Sequence, residues 1–235
     1  EIYTLSLHDA LPIWRIKNFL RFGKLCTKPG DVLRALKWNT FRKNTAASVL
    51  DGKYLAVLAH CALDVVKSAK IEMGGIFRFG TKRNKKAKLE TRLLLEDNAK
   101  LTIRGRGHIT YGSDIQVFKN ASLELGADCA INSGFQCVCM EKIVLGNDVH
   151  IGRDVWIRDN NGGHTVVIKG NKNSAPVVIG DHVWICSNVS VTKGVTIGEG
   201  AIISANSVVT TNIHAHCMAS GNPAKVIAEN VIWRP

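Results

Sequence analysis

The chain's most polar and glycine-rich stretch carries a single histidine. His164 lies in RDNNGGHTVVIKGNKNSAP, residues 158–176. A neutral imidazole has a reference pKa of about 6.5, so it suits a base working near neutral pH. The plainer reading is a solvent-exposed loop histidine. Asp159 either orients that imidazole or forms the turn that a DNNGG run favours. Cys137 and Cys139 share parity, so they point to one face of an extended chain and are either nucleophilic or packed. His214 and His216 form an HxH pair. A zinc site needs at least three converging ligands, and the spacing supplies no third, so no metal is expected.

A repeat of six must position these residues. Aliphatic side chains recur at Ile179, Ile185, Val191, Ile197, Ile203 and Val209, and small or β-branched ones follow four positions later at Val183, Val189, Val195, Ala201 and Ser207. Offsets of zero and four share parity, so both sets point to one side of an extended chain. A period of two inside a frame of six, with Gly180, Gly194, Gly198 and Gly200 between, predicts short strands turning at regular corners. That is an all-β parallel β-helix, about 18 residues to each triangular coil. An ordinary sheet of Val/Ile-rich strands would not hold the frame six times over, and Val, Ile and Gly at this density disfavour helix. Upstream the frame is looser but present: Leu95 with Ala99, Leu101 with Gly105, Leu125 with Cys129, Ile131 with Phe135, Leu145 with Val149, Ile151 with Val155. Roughly six coils fit between residues 93 and 213. His150 and His182 fall at corners and read as surface residues. Between Ile157 and Ile179 the frame breaks, so the coil must bulge outward over 158–178, and the bulge holds His164. Loops on a rigid scaffold are where function concentrates.

At 235 residues the chain can bury a full core in one domain with appendages. Residues 1–100 hold 20 Lys/Arg and 9 Asp/Glu, and residues 101–235 hold 11 and 10, so nearly all of the +12 excess lies upstream of the repeats. Such a charge suits anionic lipid, nucleic acid or an acidic substrate, or simply solubilises the surface; no nucleic-acid partner is expected. Residues 1–13, EIYTLSLHDALPI, look foreign to the rest, resembling translated adapter sequence, and are set aside. Residues 14–53 form a basic extension. Within it, 14–45 fit two short amphipathic helices that dock on the end of the β-helix or a neighbouring subunit, or lie on a membrane surface. The β-helix is expected over 54–228, with irregular first rungs at Leu55, Val57, Leu63, Val65 and Val66, a basic loop at 82–88, and a tail over 229–235. Seven cysteines without CxxC pairing point to a reducing compartment, the cytoplasm, and to no disulfide framework. Cys129 takes an offset-four core slot, where a small apolar residue suffices. No apolar run approaches the roughly 20 residues that span a bilayer.

The segment GDHVWICSNVSVTKGVTIGEGAIISANSVVTTNI, followed by ASGNPAKVI, resembles the hexapeptide-repeat acyltransferases. It is most similar to the maltose, galactoside, streptogramin and capsular or lipopolysaccharide O-acetyltransferases. The likeness covers about residues 90–228, and its DHVWI block and GNPAKVI tail are specific together. It implies a left-handed coil, a homotrimer with active sites between adjacent subunits, and coenzyme A in the groove between two β-helices. Gly163-His164-Thr165 matches the GHP-like context of the family's catalytic histidine. Trp184 matches the Trp that lines the site near the thioester and pantetheine, and Ser187 the Ser that follows. Ser204-Ala205-Asn206-Ser207 stands for the GAGS coil whose backbone flanks the pantetheine arm. Thr210 falls on the Thr after it, and Lys225 on the basic residue facing the nucleotide phosphates. Asn132 aligns with an Asn that helps hold the acceptor sugar, and Asp159 is a second candidate for acceptor contact. Cys186, Ser204 and Asn206 stand where Gly is usual, Thr211 replaces a common Lys and Ala228 a common basic residue. Only Glu141 lies near the acidic residue that positions sugars in some relatives. These departures bear on the acceptor more than on the chemistry.

The expected reaction moves an acetyl group from acetyl-CoA to a hydroxyl of a sugar or other small acceptor. His164 takes the proton as the acceptor oxygen attacks the thioester carbonyl. Backbone N–H groups near Trp184–Ser187 stabilise the oxyanion, and Lys225, with Lys193, meets the phosphates. The alternatives are N-acylation of an amino sugar and a non-catalytic scaffold at a membrane surface. A β-helical carbonic anhydrase would need the missing third histidine.

Overall fold

The computed structural model describes Lys17, Asn39 and residues 45–58, 60–82 and 86–235. The segment 1–13, nearly all of the helices expected over 14–45 and the centre of the 82–88 loop lie outside the described residues. Strands form where two bulky aliphatic residues flank an outward one, as in Leu101-Thr102-Ile103 and Leu123-Glu124-Leu125, whose flanking residues are buried. Each strand pairs in parallel with the strands three before and three after it, which gives three sheets of seven, nine and seven strands. This is a triangular prism wound from one chain. The first face runs from Thr45–Ala46 through Lys142–Leu145 and Val177–Ile179 to Thr196–Ile197. The second runs from Tyr54–Val57 through His150–Ile151, Trp184–Ile185 and Ile202–Ile203. The third runs from Cys61–Val65 through Gln136–Cys139 and Trp156–Arg158 to Val208–Val209.

The six-residue frame is the core. Every aliphatic residue from Ile179 to Val209 in that frame is buried, and so are Val183, Val189, Val195, Ala201 and Ser207. Ser207 is polar, and its hydroxyl accepts the Gly221 N–H at 3.1 Å. Ile179 pairs with Ile197, Ile185 with Ile203 and Val191 with Val209, so these coils keep the length that the frame predicts. Earlier coils are longer, as the pairing of Leu123 with Ile143 and of Leu101 with Leu123 shows. The extra residues sit at the corners and leave the inward pattern intact.

Pairing already begins at Thr45–Ala46, against Ile71–Glu72. Asn39 bonds both backbone groups of Leu55 through its side-chain amide, at 2.8 Å each, and so closes the first rung of the second face. The rungs expected to be irregular are regular strands, and all of Tyr54–Val57 is buried. Corners are tight. A Cβ on Gly126 would lie 2.2 Å from the carbonyl oxygen of Gly146 one coil on, so only glycine fits there. At the other end Met218–Gly221 joins the second face, the chain reverses, and Ala224–Ala228 closes it as an antiparallel strand. Among the described residues no helix is long and apolar enough to cross a membrane.

Candidate active site

The chain leaves the third face after Arg158 and rejoins the first at Val177, so Ile157 pairs with Val191, much further along the chain than one coil requires. The excursion is therefore 159–176. It is shorter at both ends than 158–178, because Arg158, Val177 and Val178 extend the ladder. Its base is pinned. Asn160 and Ser174 form an antiparallel bridge, the Ala175 N–H donates to the Asp159 carbonyl at 2.9 Å, and Asn160 Nδ2 donates to the Val138 carbonyl at 2.9 Å. Lys193, on the next coil, donates to Asn171 Oδ1 (3.1 Å) and the Lys172 carbonyl (2.6 Å). That commits it to the loop rather than to a phosphate. His164 is exposed within this frame, held by its own N–H to the Asn161 carbonyl at 3.4 Å. Among the described residues its ring has no hydrogen-bond partner.

Asp159 is not available to an acceptor or to an imidazole. It is fully buried, and its carboxylate lies in a nest of consecutive backbone amides. Oδ1 accepts the Met140 N–H at 2.8 Å and Asn160 Nδ2 at 2.9 Å. Oδ2 accepts the Glu141 and Lys142 N–H groups at 2.8 and 2.7 Å. The residue staples the root of the excursion to the preceding coil, and this corrects the expectation of substrate contact. Glu141 is exposed beside it.

The residues matched to the donor site gather along a different edge. Cys186 donates its N–H to the Ile203 carbonyl, Gly152 to Ile185 and Asn132 to Ile151, so Asn132, Gly152 and Cys186 stack in one column at the corner between the second and third faces. Ser187 and Ala205, one coil apart, occupy the next column and are exposed, as is Thr210 at the end of the third face. Asn206 N–H donates to the Ser187 carbonyl at 3.1 Å. The Ser187 hydroxyl accepts the Arg153 N–H at 3.1 Å, and Asn132 Nδ2 donates to the Ile151 carbonyl at 2.9 Å, so both side chains already brace neighbouring coils. Trp184 stands outward on the second face, 41% exposed. Lys225 is exposed on the closing strand.

Comparison with known proteins decides the family. The model of bacterial transferase hexapeptide repeats, six repeats long, matches residues 176–211. A putative acetyltransferase of Saccharomyces cerevisiae is 33% identical over 148 residues, which cover 61% of this chain and 70% of the relative. The chain belongs to the hexapeptide-repeat transferases. The polysialic acid O-acetyltransferase of Escherichia coli O1:K1 is 32% identical over 124 residues, 51% of this chain but only 40% of that enzyme. The crystal structure of the polySia-specific acetyltransferase NeuO superposes with a TM-score of 0.54 at 29% identity, covering 77% of this chain and 86% of that one. The fold is accordingly the left-handed parallel β-helix.

Two features of this hexapeptide-repeat transferase are not visible as motifs. One is the amide nest around Asp159. The other is a cluster at the corner between the first and second faces. Asp148 bonds His182 Nδ1 at 2.7 Å and His150 Nε2 at 3.2 Å. Trp233, from the chain's end, stacks on the His182 ring with centroids 4.1 Å apart, so these two histidines are not plain surface residues. Elsewhere, Cys137 and Cys139 are buried, and burial pushes both thiols well above the usual cysteine range, which favours packing over nucleophilicity. Among the described residues no group of three or more His, Cys, Asp or Glu side chains could hold a metal ion.

Proposed function

We propose that this transferase moves an acetyl group from acetyl-CoA to a hydroxyl of a sugar or other small hydroxylated acceptor, with His164 as general base. One observation carries the reading. The His164 ring has no internal partner among the described residues, yet its loop is tied at the root and at its far side to a rigid prism. A base must be held by its backbone and left open at its ring, and this arrangement does both. The names of the polysialic acid relatives favour a hydroxyl acceptor over an amine.

The donor fits the second-to-third corner and the face beside it. Coenzyme A would bring a thioester and a slender pantetheine arm, for which exposed Trp184 offers an apolar plate and the Ser187–Ala205 corner a low edge. Asn206 does not obstruct that edge, because its Oδ1 is tied along the corner to Asn188 Nδ2 at 2.7 Å. Exposed Lys225 suits the phosphates. The acceptor oxygen would lose its proton to His164 as it attacks the thioester carbonyl, and backbone N–H groups near Trp184–Ser187 would face the oxyanion. Within one copy the excursion leaves from the third-to-first corner, away from these residues. A site joining them therefore draws on two copies, which supports the homotrimer with intersubunit sites.

The test is acetyl-CoA consumption against a panel of glycans and other hydroxylated acceptors, with mass spectrometry of the product to separate O- from N-acetylation. His164→Ala should lose about 10²- to 10⁴-fold in turnover with unchanged melting. Full activity in that variant would sink the assignment.

A further inference from the structure

The last residues of the chain return to the body and meet the Asp148–His182 corner. Trp233 is only 7% exposed although it lies close to the chain's end. Its ring stacks on His182 at an interplanar angle of 6°, meets His150 edge-on at 5.1 Å and touches Trp184 at 5.9 Å with a 43° tilt. The Trp233 Nε1–H donates to the His182 carbonyl at 2.8 Å, and the Val231 N–H donates to the His216 carbonyl at 2.9 Å.

The hydrogen bonds around His182 fix its protonation. Nδ1 lies 2.7 Å from Asp148 Oδ2 and Nε2 lies 3.2 Å from the Trp233 carbonyl oxygen. A carboxylate and a carbonyl can only accept, so both ring nitrogens must donate, and the ring is an imidazolium. A cation laid flat on an indole is attracted by the ring's quadrupole as well. The charged groups facing it are Asp148 from the coil before and Glu199 from the coil after, and His150 shares Asp148. These partners, Asp148 first, raise the His182 pKa above its ordinary value.

We propose that Trp233 is a positioning residue for Trp184, clamped in place by protonated His182, so that donor binding weakens when His182 loses its proton. This rests on Trp184 being a wall of the donor site. Trp184 keeps 41% of its surface open, so Trp233 flanks it and does not cover it. The plate is thereby held upright on the side away from the Ser187–Ala205 edge. Without Trp233 the Trp184 ring could swing towards His182 and leave the pantetheine arm unsupported. The sign follows from the raised pKa: the clamp is complete below about pH 6.5 and is lost as pH rises through the folded-state value.

The experiment uses the full chain, coenzyme A as probe and two readouts. The first is the indole N–H resonance of Trp233, assigned by its loss in Trp233→Phe and followed from pH 5.5 to 9. It should move with a midpoint above 6.5 in the wild type and show no such step in His182→Asn, a substitution that suits the left-handed backbone at 182 (φ 53°). The second is the calorimetric Kd for coenzyme A. Trp233→Ala should weaken binding about fivefold at pH 6, and Trp233→Phe should restore most of it. Between pH 6 and 9 the wild type should weaken by about that factor more than His182→Asn, which cancels the titration of the ligand's own phosphates. A resonance without the step overturns the clamp. Equal Kd values for wild type and Trp233→Ala overturn the positioning role. Wild type that does not bind coenzyme A at any pH overturns the donor reading itself, and the resonance step still reports on the clamp separately.

Discussion

Replacing Asp159 by Asn changes one atom in a fully buried site, and its cost can be worked from the contacts. Five hydrogen-bonding groups surround the carboxylate, counting the weak Cys139 Sγ contact at 3.6 Å, and all are donors. An amide must turn its NH₂ towards one of the two sets. Facing the Oδ2 set, it strands the Glu141 and Lys142 N–H groups. Facing the Oδ1 set, it strands the Met140 N–H and Asn160 Nδ2. Either way two bonds to a charged acceptor are lost, at about 1.5–3 kcal/mol each. Relief from burying a charge offsets part of that loss. A net destabilisation of about 3 kcal/mol remains, a large share of the roughly 5–15 kcal/mol that holds a typical domain together. Urea unfolding of Asp159→Asn should show the midpoint fall by that amount with the slope preserved. The root of the His164 loop is also loosened, so turnover should fall under conditions where the variant is still fully folded. A variant within about 0.5 kcal/mol of wild type would refute the reasoning, because it would mean the nest does not hold the loop.

Gly152→Ala would place a Cβ 2.5 Å from the Ser187 backbone nitrogen, and should cost about 1–3 kcal/mol in a thermal melt, since backbone on the next coil must move. Native protein treated with a thiol reagent at pH 8 should label the partly exposed Cys186 quickly. Cys137 and Cys139 should react only with unfolding, and Cys129, whose thiol burial pushes up to about 11, should also lag; peptide mass spectrometry reads the order. Replacing residues 162–172 by two glycines should leave the circular dichroism and melting of the prism nearly unchanged while abolishing acetyl transfer, because the Asn160–Ser174 bridge closes the coil beneath the cut. Loss of folding in that variant would show that the excursion belongs to the core.

What the sequence made legible follows from what a β-helix repeats. The inward positions repeat, so Ile179 through Val209 announce the core, and Gly126 and Gly146 announce corners where one coil's backbone presses on the next. The excursion was legible as a break in that frame, and its histidine as the one ring in a polar loop. The role of Asp159 was not legible. A DNNGG run looks the same whether its carboxylate faces solvent or a nest of amides on the preceding coil. Lys193 was misplaced for a like reason: a surface lysine carries no mark of the loop it holds.

The Asp148–His182–Trp233 cluster was hidden by arithmetic and not by chemistry. In a coil of regular length the partner above Asp148 would be sought at Val166, yet the ladder pairs His150 with Trp184 and Ile151 with Ile185. The surplus is the length of chain that the excursion lifts out of the prism. Setting it aside aligns Leu145-Gly146-Asn147-Asp148-Val149-His150-Ile151 with Ile179-Gly180-Asp181-His182-Val183-Trp184-Ile185, aliphatic on aliphatic and corner on corner. Asp148 then falls under His182 and His150 under Trp184, an acid beneath a histidine and a histidine beneath an indole. The excursion therefore does more than carry His164. By inserting length without rise, it lets residues far apart in the chain become vertical neighbours, and it brings an acidic corner from one coil under the tryptophan face of the next. Trp233 completes that corner only because the closing strand turns the chain back along the same edge. A relative that kept the repeats but ended before residue 233 would have the same prism and an unsupported Trp184.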